Sequence, residues 1–207
     1  MPNLIASPPA RAICATCARA QTSCICRWIA AVPFDTSLLI LQHPLEVANA
    51  KGSARLLHLC IPGSVILTGE TFDGALLDAH LYADGRTPCL LYPGDGDATT
   101  TGAGVPPSAL RLVLLDGTWR KSRKMLHLNP QLAVLPRLAL RDMPPSHYRI
   151  RKAHAPDQLS SFEAAAYALR SLHGGAADGA DAALARLLAA FDGFVDQQAG
   201  YAARNAP

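Results

Sequence analysis

No stretch of this 207-residue chain is apolar for long enough to cross a bilayer, since a spanning helix needs about 20 consecutive apolar residues. The first thirteen residues, Met1 to Ile13, also lack a basic n-region followed by an apolar h-region. Export to an oxidising compartment is therefore not expected, and the cytoplasm is. No internal repeat is present, which sets aside solenoids and propellers. The net charge of +3 is small, so overall charge names no partner, and no obligate protein partner is evident. Half the residues are hydrophobic. A soluble globular protein is expected, with one sizeable core, one small appendage and no membrane contact.

Four of the six cysteines are crowded together as Cys14-Ala-Thr-Cys17 and Cys24-Ile-Cys26. A CxxC pair turns two thiolates toward one cation, and a second short pair completes a tetrahedron of sulfurs, the arrangement of a structural Zn²⁺ site with no position left for a reacting water. Two disulfides or four unrelated thiols are the competing readings, and a reducing compartment disfavours the first. Cys60 and Cys89 lie in the apolar runs LLHLCI and PCLLYP and read as small buried hydrophobes.

Downstream, apolar runs alternate with helical patterns. Asp35 to Gln42 reads as a strand and His43-Pro44 stops it. A helix is expected from Pro44 through ARLLHLCI to Pro62-Gly63. Further strands are expected at Ser64 to Gly69, Pro88 to Pro93, Arg111 to Gly117 and Ala133 to Leu140, with a helix over Trp119 to Leu128. This rhythm predicts an α/β fold, a parallel sheet with helices on both faces. Ser160 and Glu163 form a capping box that opens a helix to Leu172. Gly174-Gly175 breaks it, and a last helix over about Ala180 to Gln198 carries an apolar face. The expected divisions are a cysteine module at 1–34, a catalytic domain at 35–174 and a packing helix at 175–207.

Two features carry functional weight. Asp116-Gly117-Thr118-Trp119 directly follows the strand LVLL, and ligands of open parallel sheets bind beyond the carboxyl ends of the strands. The same residues also suit a helix cap with Trp119 as a core anchor. Between Arg111 and Lys152, Arg111, Arg120, Lys121, Arg123, Lys124, Arg137, Arg141, Arg149, Arg151 and Lys152 face only two acids, Asp116 and Asp142. Such clustering favours a polyanion such as RNA, although a solvated helix face has the same composition.

These pieces, in this order, resemble the DTW-domain family, the tRNA-uridine aminocarboxypropyltransferases. The resemblance is carried by the cysteine cluster, Gln42-His43-Pro44-Leu45-Glu46, Asn49 to Leu57, Tyr92-Pro93-Gly94, Asp116-Gly117-Thr118-Trp119 and Leu159-Ser160-Ser161-Phe162-Glu163-Ala164. One departure is Ala20, where a proline is expected after the arginine.

The resemblance implies a SPOUT-like knotted core and transfer of the 3-amino-3-carboxypropyl group of S-adenosylmethionine (SAM) to N3 of a tRNA uridine. On it, the candidate catalytic residues are Asp116, Thr118 and Trp119. The candidate donor-binding residues are Gln42, His43, Glu46, Leu115, Leu159, Ser160, Ser161 and Glu163. Cys14, Cys17, Cys24 and Cys26 would hold Zn²⁺, and Arg120, Lys121, Arg123 and Lys124 would meet tRNA phosphates. A SPOUT-type RNA methyltransferase and a non-catalytic zinc-ribbon RNA binder are the alternatives.

Overall fold

A computed structural model describes residues 12–94, 104–150, 159–174 and 179–204. Five parallel strands form one sheet in the order β2-β1-β4-β3-β5. They are β1 (Ser37–Gln42), β2 (Val65–Thr68), β3 (Thr87–Leu91), β4 (Leu110–Asp116) and β5 (Arg137–Leu138). β4 lies at the centre and every residue of it is buried, which explains the continuous apolar run from Leu112 to Leu115.

The helices are α1 (Pro44–Val47), α2 (Ala54–Cys60), α3 (Gly74–Leu81), α4 (Trp119–Leu128), α5 (Pro130–Ala133), α6 (Ser161–Leu172) and α7 (Ala180–Arg204). Alternation along the strands sorts the core into two layers. Leu38, Ile40, Leu112 and Leu114 face α2, α6 and α7. Leu39, Leu41, Val113 and Leu115 face Leu77 and Leu81 of α3, Met125 of α4 and Leu132 of α5. Helices on both faces are thus observed. Cys17, Ile25 and Val32 join the first layer, so the cysteine segment packs on the main core, and the Trp28 indole N–H donates to Gln197 of α7 at 2.6 Å.

Two expected elements differ, and one helix is additional. The single helix from Pro44 is two helices, α1 and α2, because the turn chemistry of Asn49 and Gly52 outweighs helical propensity between them. Asn49 Oδ1 accepts from Lys51 N at 3.0 Å. A Cβ on Gly52 would lie 3.1 Å from Asn49 O and 3.2 Å from Glu46 O. The fifth strand shrinks to Arg137–Leu138, since Pro130 starts a helical turn and Pro136 has no N–H for a ladder. α3, capped by Asp73, was not anticipated. Gly175 and the stretch 95–103 lie outside the described residues, as do Arg151 and Lys152.

The capping box at α6 is present in both directions, and Cys60 and Cys89 are buried. No helix among the described residues is long and apolar enough to cross a membrane.

Candidate active site and metal centre

The carboxyl ends of the strands and the N-terminus of α6 enclose two adjoining hollows. The larger, of about 440 Å³, is walled by Leu91 to Gly94 after β3, by Leu114, Leu115 and Gly117 of β4 and its turn, and by Trp119. Leu138 to Met143 after β5, with Leu159 to Ser161, close its other side. The smaller, of about 150 Å³, is lined by Glu46, Asn49, Lys51, Gly52, Ser53, Asp116, Thr118 and Tyr148. Gly117, Ser160 and Ser161 line both. The larger volume lies within the range of small-molecule sites. Its walls are largely aliphatic, and the polar smaller hollow lies alongside.

β4 delivers Asp116 to this rim. The carboxylate is 7% exposed, and Oδ2 accepts from Gln42 Nε2 at 3.0 Å, the residue paired with it in the sheet register. A buried carboxylate needs such donors. Thr118 is the N-cap of α4 and accepts from Lys121 N. Trp119 is 45% exposed, and its ring meets the edge of Tyr92 at 5.8 Å and 76°. It is a cleft wall, not the core anchor that the sequence also allowed. Burial pushes the Tyr92 phenol above its usual value.

Around this centre the charges are matched. Glu46 Oε1 pairs with Lys121 Nζ at 2.7 Å, and Oε2 accepts from Asn49 at 2.8 Å. Burial works to raise the Glu46 carboxyl, but Lys121 and Asn49 outweigh it and hold the group below the usual carboxylate range. Glu70, at the end of β2, meets Lys124 Nζ at 2.8 Å and His43 Nε2 at 2.9 Å, and those two bonds hold its carboxyl low. His43 Nδ1 accepts from Leu45 N, which leaves Nε2 to carry the proton donated to Glu70.

Of the residues proposed from sequence, Asp116, Thr118, Trp119, Glu46, Leu115, Leu159, Ser160 and Ser161 are brought to the two hollows. Gln42 and His43 stand one layer behind, against Asp116 and Glu70. Glu163 is 1% exposed, and its carboxylate accepts from Ser146 Oγ, His147 N and Ser160 N at 2.7 to 2.8 Å, fastening the 146–148 segment to α6. Arg120 and Arg123 are exposed, whereas Lys121 and Lys124 are ion-paired. Arg111 is buried at the opposite end of β4, donating to His80 O and Ala83 O. Lys51, Tyr148 and the Leu138 to Met143 wall were not identified as site residues from sequence, and only their position past strand ends and turns could have marked them.

The four clustered sulfurs lie within 4.8 Å of one another, with Cys14 to Cys26 at 3.6 Å and Cys17 to Cys24 at 3.7 Å. Tetrahedral Zn²⁺ with sulfurs about 2.3 Å away requires sulfur pairs about 3.8 Å apart, while a disulfide requires about 2.0 Å. The donor set therefore fits a closed metal site and not two bridges. Amides of Cys17 and Thr16 lower the Cys14 thiol to about 6, while burial and then the neighbouring sulfurs raise Cys26 to about 12.

Residues 11–199 match the family model described as the DTW domain. The mouse (Mus musculus) protein named tRNA-uridine aminocarboxypropyltransferase 2 is 29% identical over 168 residues, 77% of this chain and 56% of its own length. The macaque (Macaca fascicularis) protein of that name is 30% identical over 169 residues, 77% of this chain and 56% of its own. The Drosophila melanogaster protein of that name is 30% identical over 180 residues, 82% of this chain and 70% of its own. The chain thus spans little more than half the length of its mammalian relatives. No solved structure matches it.

Proposed function

The chain belongs to the DTW-domain family, and from that premise we propose that it transfers the 3-amino-3-carboxypropyl group of SAM to N3 of a uridine in tRNA. The products are 3-(3-amino-3-carboxypropyl)uridine and methylthioadenosine. The observation that carries this reading is the placement of Asp116 beside the smaller hollow, one residue before Gly117, which lines both.

In this reading the larger cavity takes the adenosine of the donor and the smaller takes its amino-acid end. When bound, SAM supplies an electrophilic carbon on that end and a thioether that departs. The chain's residues do the rest. Ser160 and Ser161, at the positive end of α6, would hold the donor carboxylate, and Glu46 with Asn49 would face its amino group. Asp116 accepts or orients the N3 proton, because an imide nitrogen is a poor nucleophile until that proton is drawn away. An ordinary Asp has a pKa of about 3.9, so orientation and burial must supply much of its effect. Trp119 offers a face on which the target base stacks. Holding the two reactants in line can itself remove up to about 7–11 kcal/mol of such a barrier.

N3 is hidden by pairing, so the uridine would be presented unpaired or flipped out. Arg120 and Arg123 next to the cleft supply phosphate contacts that set the register of the RNA. The four thiolates would hold Zn²⁺ as a structural ion, and a reducing, cytoplasmic location belongs to the same proposal. The SPOUT-like knotted path belongs to the same proposal. It is supported by the insertion of β4 between β1 and β3 and by the return of the chain after β5 to the cleft.

The test is incubation of the purified protein with unmodified tRNA and SAM, followed by mass analysis of nucleosides and small products. An aminocarboxypropyl uridine with methylthioadenosine is expected. A methylated nucleoside with S-adenosylhomocysteine would make it a methyltransferase. Binding of tRNA with no turnover would make it a non-catalytic binder.

A further inference from the structure

One side chain joins the cysteine cluster to the smaller hollow. Arg19 leaves the chain between the two cysteine pairs, directly after Ala18, whose φ of 57° closes the first turn. Its guanidinium reaches the loop between α1 and α2, where Nη1 donates to Ala50 O and Nη2 to Gly52 O, each at 2.7 Å. The Phe194 ring of α7 lies 5.3 Å from the guanidinium carbon. The carbonyl between those two, Lys51 O, accepts from the Tyr148 hydroxyl. Three successive carbonyls are thus gripped, two by Arg19 from outside the hollow and one by Tyr148 of its lining, while Asn49, Lys51, Gly52 and Ser53 of the same loop line it. Arg19 lines neither hollow, and its two-pronged, planar donor geometry is one that lysine lacks.

We propose that Arg19 is a positioning residue for the transfer reaction: it fixes the Asn49–Gly52 wall against which the amino-acid end of the donor rests. It does so only while the four sulfurs are gathered around their cation, because the cysteine turns aim it. The chemistry of the hollow rests on the function proposed above, whereas the clamp on the loop rests on geometry alone. Opening of the cysteine cluster therefore releases the loop and weakens donor binding.

The test uses full-length, metal-loaded Arg19→Met and Arg19→Lys proteins. Three quantities are read: metal content, hydrogen exchange over residues 46–53, and affinity for SAM and for methylthioadenosine, which lacks the amino-acid end. Arg19→Met is expected to retain its metal, to exchange at least tenfold faster in the loop and to bind SAM about tenfold more weakly. Methylthioadenosine affinity should change less than threefold. Arg19→Lys should recover part of the loss, since one ammonium can hold one carbonyl. Chelation of wild type should reproduce the faster loop exchange, and chelation of Arg19→Met should add little to it. Loop exchange equal to wild type in loaded Arg19→Met would overturn the proposal, as would equal losses for the two ligands. Absence of transfer by wild type would sink the proposed reaction instead and leave the exchange result to judge the clamp.

Discussion

The side-chain amide of Gln42 donates to Oδ2 of Asp116 at 3.0 Å across neighbouring parallel strands. Both residues end their strands, so the sheet itself holds the carboxylate in one orientation at the rim. Gln42→Leu removes this donor, and a hydrogen bond to a charged group is worth about 1.5–3 kcal/mol. Lowered kcat with little change in SAM affinity is expected, and steady-state kinetics beside a SAM titration checks it.

Trp119 separates a cleft role from a structural one. Trp119 is 45% exposed, and its contact with Tyr92 contributes about 0.5–1.5 kcal/mol beyond the area it buries. Trp119→Ala should therefore lower stability by about 1–2 kcal/mol. Transfer to tRNA should fall much further, since a lost base stack costs about 1–3 kcal/mol. Thermal unfolding and transfer assays on one preparation read both.

The metal is expected at one Zn²⁺ per chain. Cys14→Ser or Cys24→Ser should lose it, and chelation should lower the unfolding temperature, because binding free energy at such a site is folding free energy. Elemental analysis together with calorimetry checks the expectation. Unchanged metal content in both variants would contradict it.

Acid sensitivity follows from Glu46. Its folded-state carboxyl lies below the ordinary glutamate value of about 4.3, so the pair with Lys121 contributes fully above that value and is lost as pH falls through the lower folded one. The difference in unfolding temperature between wild type and Glu46→Gln should be constant above about pH 5 and shrink below pH 4.5. A difference that grows on acidification would contradict the pairing.

Two glycines of α7 should respond in opposite ways. A Cβ on Gly193 would come within 2.3 Å of the Trp28 ring, while one on Gly200 would meet nothing within 4 Å. Gly193→Ala should destabilise by about 1–3 kcal/mol through overpacking. Gly200→Ala should stabilise by about 0.5–1 kcal/mol. Denaturant melts of the two variants measure the contrast.

The central strand and the helix after it were legible because local signals agreed there. Leu112 to Leu115 is an apolar run closed by Asp116-Gly117, and Thr118 caps a strongly amphipathic α4. The α6 start was legible for the same reason, its capping box being local chemistry. What was not legible depended on distant neighbours. The loop between α1 and α2 turns on local chemistry at Asn49 and Gly52 but is held in place by Arg19 and Tyr148, and the two-residue β5 is fixed by its place beside β3. The Leu138 to Met143 wall has no periodicity of its own and becomes a wall only because the chain passes back over the sheet's rim to α6. Lys121 and Lys124 showed the converse, since composition marked them as free cations and the fold supplies Glu46 and Glu70 as partners.

Asp116→Asn is nearly isosteric and keeps an oxygen for Gln42, so it probes the carboxylate's charge and not its packing. The direct measurement is single-turnover transfer to tRNA by this variant at saturating SAM, with SAM affinity determined on the same sample. A rate reduced by about 10²–10⁴-fold, the range for a lost acid–base group, with SAM affinity within threefold of wild type, is the expected result. A rate equal to that of wild type would contradict the assignment of Asp116 to the reacting centre.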